Sequence, residues 1–207
     1  TRGEFLASQR MDNLSSVHSS IAAFTHVAPR DDVAVMACFD HEEVGSSTRS
    51  GACGPFLEDV LVRIAEGLGH TGAQYRAMLA RSSCISADAG HGVHPNYVEK
   101  FDPNNHPLLN AGPLLKINAN QRYASDAVTE AEWLRACRAA EVPSQTFVGN
   151  NSVPCGSTIG PISSTRMGIR TVDVGVPLLS MHSARELVGI QDQLWFTEAL
   201  TAYFSGA

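Results

Sequence analysis

The 207-residue chain has no apolar run approaching the roughly 20 residues needed to cross a bilayer. It has no Lys/Arg cluster either, and its 15 basic residues stand against 21 acidic ones. A formal net charge of -6 leaves no electrostatic footprint for nucleic acid. The five cysteines (Cys38, Cys53, Cys84, Cys137, Cys155) are odd in number, scattered, and never spaced C-x-x-C. That excludes a zinc knuckle and a disulfide framework. Several cysteines lie in apolar patterns where a free thiol packs as a small hydrophobe, so a reducing, cytoplasmic compartment is the reading; the first residues show no apolar signal-peptide region. The chain opens Thr1-Arg2-Gly3 without Met, which reads as a fragment or a processed product.

What is present suits a packed domain: 43% hydrophobic and 17% charged residues. No repeat or low-complexity stretch divides it. Residues 1–10 read as irregular. Leu14, Val17, Ile21 and Phe24 then predict a helix capped by Asp12 or Asn13, and a polar link at 28–32 follows it. Val33-Ala34-Val35-Met36-Ala37 predicts a buried strand. Further helices are expected at 52–68, 72–80, 125–140 and 157–167, and a last one opens at Met181 and runs through Leu200. Strands are expected at 84–87, 114–117, 145–148 and 170–176, and residues 95–113 read as a long loop. Strands alternating with helices of this length indicate an α/β sandwich with a mostly parallel sheet.

The opening strand ends in Asp40-His41-Glu42-Glu43-Val44-Gly45. Two adjacent carboxylates in a half-buried loop repel each other, and a cation would relieve them. Asp12 at a helix start, Asp88 after the 84–87 strand and His182 at a later junction occupy similar places. In an open α/β sheet such residues converge at the strand ends. Carboxylates and imidazole without thiolates suit zinc, manganese or cobalt in a hydrolytic site. One glutamate would ligate and the other would act as general base. The structural alternatives are a simple N-cap for Asp12, a core histidine for His182, and loop hydrogen-bonding for His91 and His94. Gly156-Ser157-Thr158-Ile159-Gly160 looks like a phosphate-cradling turn but lacks the lysine, so it reads as a site wall.

Six motifs resemble the aspartyl aminopeptidase family. They are Arg10-Met11-Asp12-Asn13-Leu14, Asp40 to Ser46, Ser86 to Tyr97, Lys116-Ile117-Asn118 with Gln121 to Ala124, Pro154 to Ile162, and Met181 to Glu186. The resemblance implies a three-layer α/β/α sandwich of the zinc-peptidase type, present here in part. It implies two zinc ions, with cobalt or manganese as substitutes. By the same resemblance Asp12 bridges the metals, Glu43 and His182 complete one zinc, Asp88 serves the other, and Glu42 is the base. Lys116 would read the acidic side chain of the substrate, with His91 and Tyr123 lining the pocket. The family removes N-terminal Asp or Glu from peptides and assembles into dodecamers.

The chain departs from that pattern in one respect. The family's further zinc-ligand histidine lies upstream of the Asp12 position, and an intervening domain mediates dimerisation. Only eleven residues precede Asp12, and none is histidine. The expectation is that residues 1–207 are the C-terminal portion of a catalytic domain whose upstream segment is a further partner. The alternatives are an inactive fragment or assembly subunit, or His91 standing in as ligand.

Overall fold

The computed structural model describes residues 3–28 and 31–207. Thr1 and Arg2, and Pro29 and Arg30 of the expected link, lie outside the described residues. Among the described residues, eight strands form two mixed four-stranded sheets. The larger contains β2 (Ser83–Ala87), β6 (Arg170–Gly175), β4 (Leu114–Ile117) and β5 (Gln145–Val148), in that order across the sheet. Here β2 runs parallel to β6 and β5 parallel to β4, while β4 and β6 are antiparallel. The smaller contains β1 (Phe5–Ser8), β8 (Glu186–Gly189), β7 (Pro177–Leu179) and β3 (Gly90–His91). This is the expected α/β sandwich, with its sheet split in two.

Side-chain alternation along the strands sorts the layers. Val172, Val174 and Leu115 face a core shared with Trp133, Cys137, Phe196 and Leu200. That core joins α1 (Met11–His26), α4 (Ala127–Ala139) and α6 (Ile190–Phe204). Trp133 meets Phe196 edge-to-face with centroids 6.1 Å apart, a pairing that contributes about 0.5–1.5 kcal/mol beyond burial. The alternate positions Leu114, Lys116 and Asp173 turn to the other face. There α5 (Gly160–Met167) begins against Asp173, and a Cβ on Gly160 would collide with its carboxylate. The α2 (Phe56–Gly67) and α3 (Gly72–Arg81) helices complete the chain order before β2.

Several expected elements fall where predicted: β4 and β5 match to the residue, and Asp126 caps α4 by accepting from Val128 and Thr129 N–H. Four expectations are corrected. Residues Val33–Phe39 form no strand, and none of them is buried: Val33, Ala34 and Cys38 are exposed, Val33 at 51%, and the rest are half-buried. Apolar β-branched composition makes a strand only where a neighbour supplies the ladder, and among the described residues none does. Asp12 does not cap α1: its backbone leaves helical angles, and Arg10 holds the N-cap position. The last helix starts at Ile190, because residues 186–189 are drawn into β8 by pairing with β1 and β7. Residues Phe5–Ser8 are accordingly a strand and not irregular.

The two sheets diverge at one point. Asp88 N donates to Val174 O, and Gly90 N donates to Val176 O, so the β2–β6 pairing passes into β3–β7 across a break. Gly175 permits it: a Cβ there would strike the carbonyl oxygen of Asp88. The Asn13 side chain fills the opening, donating to Ala87 O at 2.8 Å and accepting from Ala89 N at 3.2 Å.

Candidate active site

The smaller sheet gathers residues distant in sequence. From β1 the chain enters α1 at Asp12, from β7 it turns through Ser180 to His182, and β3 carries His91. Ser180 and His182 adopt left-handed φ of 60° and 65°, conformations that non-glycine residues hold only when their surroundings impose them. The glutamate pair sits on a single 3-10 turn, Glu42–Val44, flanked by left-handed His41 and Gly45. Backbone bonds from Ser46 N to His41 O and from Cys53 N to Ser46 O tie that turn down. His41 Nδ1 lies 2.9 Å from Thr48 Oγ1.

These turns bring three of the predicted ligands together. His182 Nε2 stands 3.0 Å from Asp12 Oδ2 and 3.0 Å from Glu43 Oε1. One ligand atom from each of the three lies within 4.8 Å of the others, and the 3.0 Å separations from His182 are ones that bonds of about 2.0–2.2 Å to a single ion can span. Asp88 does not join that cluster. Its Oδ2 accepts from Lys116 Nζ at 2.8 Å, and Lys116 also donates to Ala89 O at 2.7 Å. Glu42, Asp88, Lys116, His91 and Tyr123 line a cavity of ≈ 470 Å³ with the cluster at its edge. Asp12, Glu43 and His182 also border a more open groove containing Arg10, Leu14 and Ser183.

The electrostatics match a cation site. Burial, then the charges of Asp88 and Glu43, push Asp12 up to about 7. Burial followed by Asp88 and Glu43 likewise raises Glu42 to about 7. Desolvation pulls His182 down, but the Glu43 and Asp12 carboxylates outweigh it and hold its pKa above the usual value. His91 is exposed as a residue yet crowded around its ring, and that crowding, with Lys116 and His182, lowers its pKa. Four carboxylates converge with Lys116 as the permanent cation among them, an excess of negative charge that a divalent ion would neutralise. The donor set therefore fits zinc: carboxylate and imidazole with no thiolate.

Two residues without an assigned role in the sequence reading support this site. Asp173, fully buried, accepts from Thr158 Oγ1 and from Ala124 N, each at 2.6 Å, while Asp173 N donates to Ser125 Oγ. It fastens two cavity walls, the Tyr123 loop and the 155–158 turn, to β6. Its signal was legible: an acid inside the apolar run Val172-Asp173-Val174. Glu186 ends the Met181 to Glu186 motif, but nothing in the sequence told that it is buried. Burial first, then a bond to Cys155, raises the Tyr123 pKa, which keeps that phenol neutral in the wall.

The fold and site define a metallopeptidase domain of α/β architecture. The chain belongs to the M18 family: the family described as "Aminopeptidase I zinc metalloprotease (M18)" matches residues 1–204. It is 50% identical over 207 residues to a probable M18 family aminopeptidase 2 of Streptomyces avermitilis, covering 98% of this chain and 48% of that protein. A protein of the same name from Pseudomonas aeruginosa is 45% identical over 204 residues, covering 99% and 46%. The chain thus spans about half the length of the curated relatives it matches. Among solved structures it resembles the Ape4 and Nbr1 complex, with a TM-score of 0.91, 38% identity and coverage of 98% of this chain and 39% of that one. It also resembles prApe1, with a TM-score of 0.92, 30% identity and coverage of 98% and 44%. The Saccharomyces cerevisiae mApe1 dodecamer aligns with a TM-score of 0.84 at 29% identity, covering 98% and 46%. No described helix is long and apolar enough to cross a membrane.

Proposed function

We propose that this chain carries the central catalytic apparatus of a zinc aminopeptidase that removes N-terminal Asp or Glu from peptides. The observation that carries the reading is the convergence of Asp12, Glu43 and His182, with Glu42 beside them, at the edge of a cavity containing a buried lysine. Asp12, Glu43 and His182 would hold one zinc, and Asp12 with Asp88 a second, with His91 of the same cavity as the candidate nitrogen donor. When bound, zinc supplies Lewis acidity toward a peptide carbonyl and toward water.

The chain's own residues do the rest. Glu42 carries no ligand duty in this reading and, with a pKa near 7, is matched to taking a proton from water and returning it to the leaving amine. Lys116 spends two of its three N–H donors on Asp88 and Ala89. The third is free for the side-chain carboxylate of an acidic first residue, a charge-assisted bond that neutral side chains cannot make. Tyr123, with Lys116 Nζ 5.4 Å from its ring centroid, closes the wall behind the ammonium. The first residue would fill the cavity and the rest of the peptide would leave through the open groove, placing the scissile bond at the cluster.

The upstream catalytic segment with a dimerisation domain and a homo-oligomeric assembly belong to this reading as partners, since the mApe1 neighbour is itself a dodecamer. A cytoplasmic location agrees with the five unpaired cysteines. The test is hydrolysis of Asp-, Glu- and Leu-initiated peptides by zinc- or cobalt-loaded protein, with and without the upstream half of a relative. Turnover of acidic peptides over Leu peptides supports the reading. A folded, metal-loaded protein that cleaves no acidic N-terminus in either condition overturns it.

A further inference from the structure

Glu186 opens β8, and only 1% of it reaches solvent. Both of its carboxylate oxygens are engaged, and both by main chain. Oε2 accepts from the backbone N–H of Asp12 at 2.9 Å, and Oε1 accepts from the backbone N–H of His182 at 2.5 Å. These are two of the three residues whose ligand atoms converge. Neither backbone is held by regular structure at that point: Asp12 departs from helical angles inside α1, and His182 sits in the left-handed region. One rigid carboxylate on a paired strand spans the two.

We propose that Glu186 is a positioning residue of the metal centre, whose two oxygens fix the spacing of the Asp12 and His182 main chains so that carboxylate and imidazole are already set for one divalent cation. The inference rests on the metal reading given above. The plainer alternative is a buried acid that happens to be satisfied and contributes only to folding. The molecule contains its own comparison. Asp192 is also fully buried and also accepts two backbone N–H groups, from Asn110 and Gly112, but in a loop that does not line the cavity.

The experiment titrates Co2+ into metal-free wild type, Glu186→Gln and Asp192→Asn, following visible absorption, with thermal unfolding of each metal-free protein alongside. A glutamine offers one acceptor oxygen and turns its NH2 toward the other N–H, so one of the two tethers is lost. Both variants should unfold at lower temperature than wild type. Only Glu186→Gln should bind Co2+ about 10- to 100-fold more weakly, as outer partners of metal ligands do when removed. Glu186→Asp, which keeps the charge but shortens the arm, serves if the glutamine variant does not fold, and it should also bind Co2+ more weakly than wild type. Wild-type affinity in a folded Glu186 variant, or equal weakening by Asp192→Asn, would overturn the inference alone. No Co2+ binding by wild type would overturn the metal reading and this inference with it.

Discussion

The Lys116 ammonium lies 2.8 Å from an Asp88 carboxylate oxygen, and the lysine is 2% exposed. This pair joins the cavity floor to the point where the two sheets part. Removing the charge while keeping the volume separates recognition from chemistry. Lys116→Met should lower kcat/KM for acidic first residues by roughly 10- to 100-fold, the worth of one hydrogen bond to a charged group. Turnover of a Leu-initiated peptide should fall far less. Unchanged preference would remove Lys116 from substrate recognition.

Glu42→Gln keeps shape and removes the proposed base. Activity should drop by about 10²–10⁴-fold, the usual contribution of a positioned proton-transfer group. Metal content, measured by atomic absorption after dialysis, should match wild type, because Glu43 and not Glu42 lies within the ligand cluster. Loss of metal in this variant would exchange the roles of the two glutamates.

Gly175→Ala tests the break between the sheets. Its Cβ would meet the Asp88 carbonyl oxygen, a backbone atom that has no freedom to swing away. Overpacking of this kind costs about 1–3 kcal/mol. Urea unfolding should show that loss, and the pairing that carries Asp88 should shift with it.

Asp192 makes stability depend on pH. Burial raises its pKa, partly offset by the Gly112 and Asn110 N–H groups. The folded state then holds the proton more tightly than the unfolded chain, whose Asp titrates at about 3.9. The stabilisation by this proton is present at low pH, declines as pH rises from the unfolded toward the folded pKa, and is gone above it. Urea unfolding of wild type and Asp192→Asn from about pH 4 to about pH 8 isolates the effect as a difference, since other groups titrate in both. The wild-type advantage should shrink with rising pH and then level. A difference independent of pH would show that burial does not govern this carboxylate.

The sequence was most readable where a local signal and the tertiary context agree. Leu114-Leu115-Lys116-Ile117 is a strand by composition and becomes β4, and Asp126 caps α4 as its position before the helix suggested. It misled where pairing partners decide. Val33–Phe39 has the composition of a strand without a ladder to join, while Glu186–Gly189 continues an apolar pattern that suits a helix until β1 and β7 claim it. For the site, residue types and order pointed to Asp12, the Glu42–Glu43 pair, Asp88 and His182; the fold brings His182 to 3.0 Å from both Asp12 and Glu43 and turns Asp88 to Lys116 instead. The Lys116–Asp88 pairing and the Glu186 tether depend on which atoms meet across sheets, information that spacing along a chain does not contain.

The unladdered Val33–Phe39 stretch has a dynamic corollary. It leads directly to Glu42 and Glu43, whereas Asp12 and His182 are tied to β8, which pairs on both edges. The two glutamates of the proposed site thus follow backbone that joins no ladder among the described residues, while Asp12 and His182 are tied to well-paired backbone. Amides at 33–39 should exchange with deuterium through local opening, orders of magnitude faster than those of β6. Inactivation on mild heating should then precede unfolding, with the glutamates displaced while the sheets, Asp12 and His182 stay assembled.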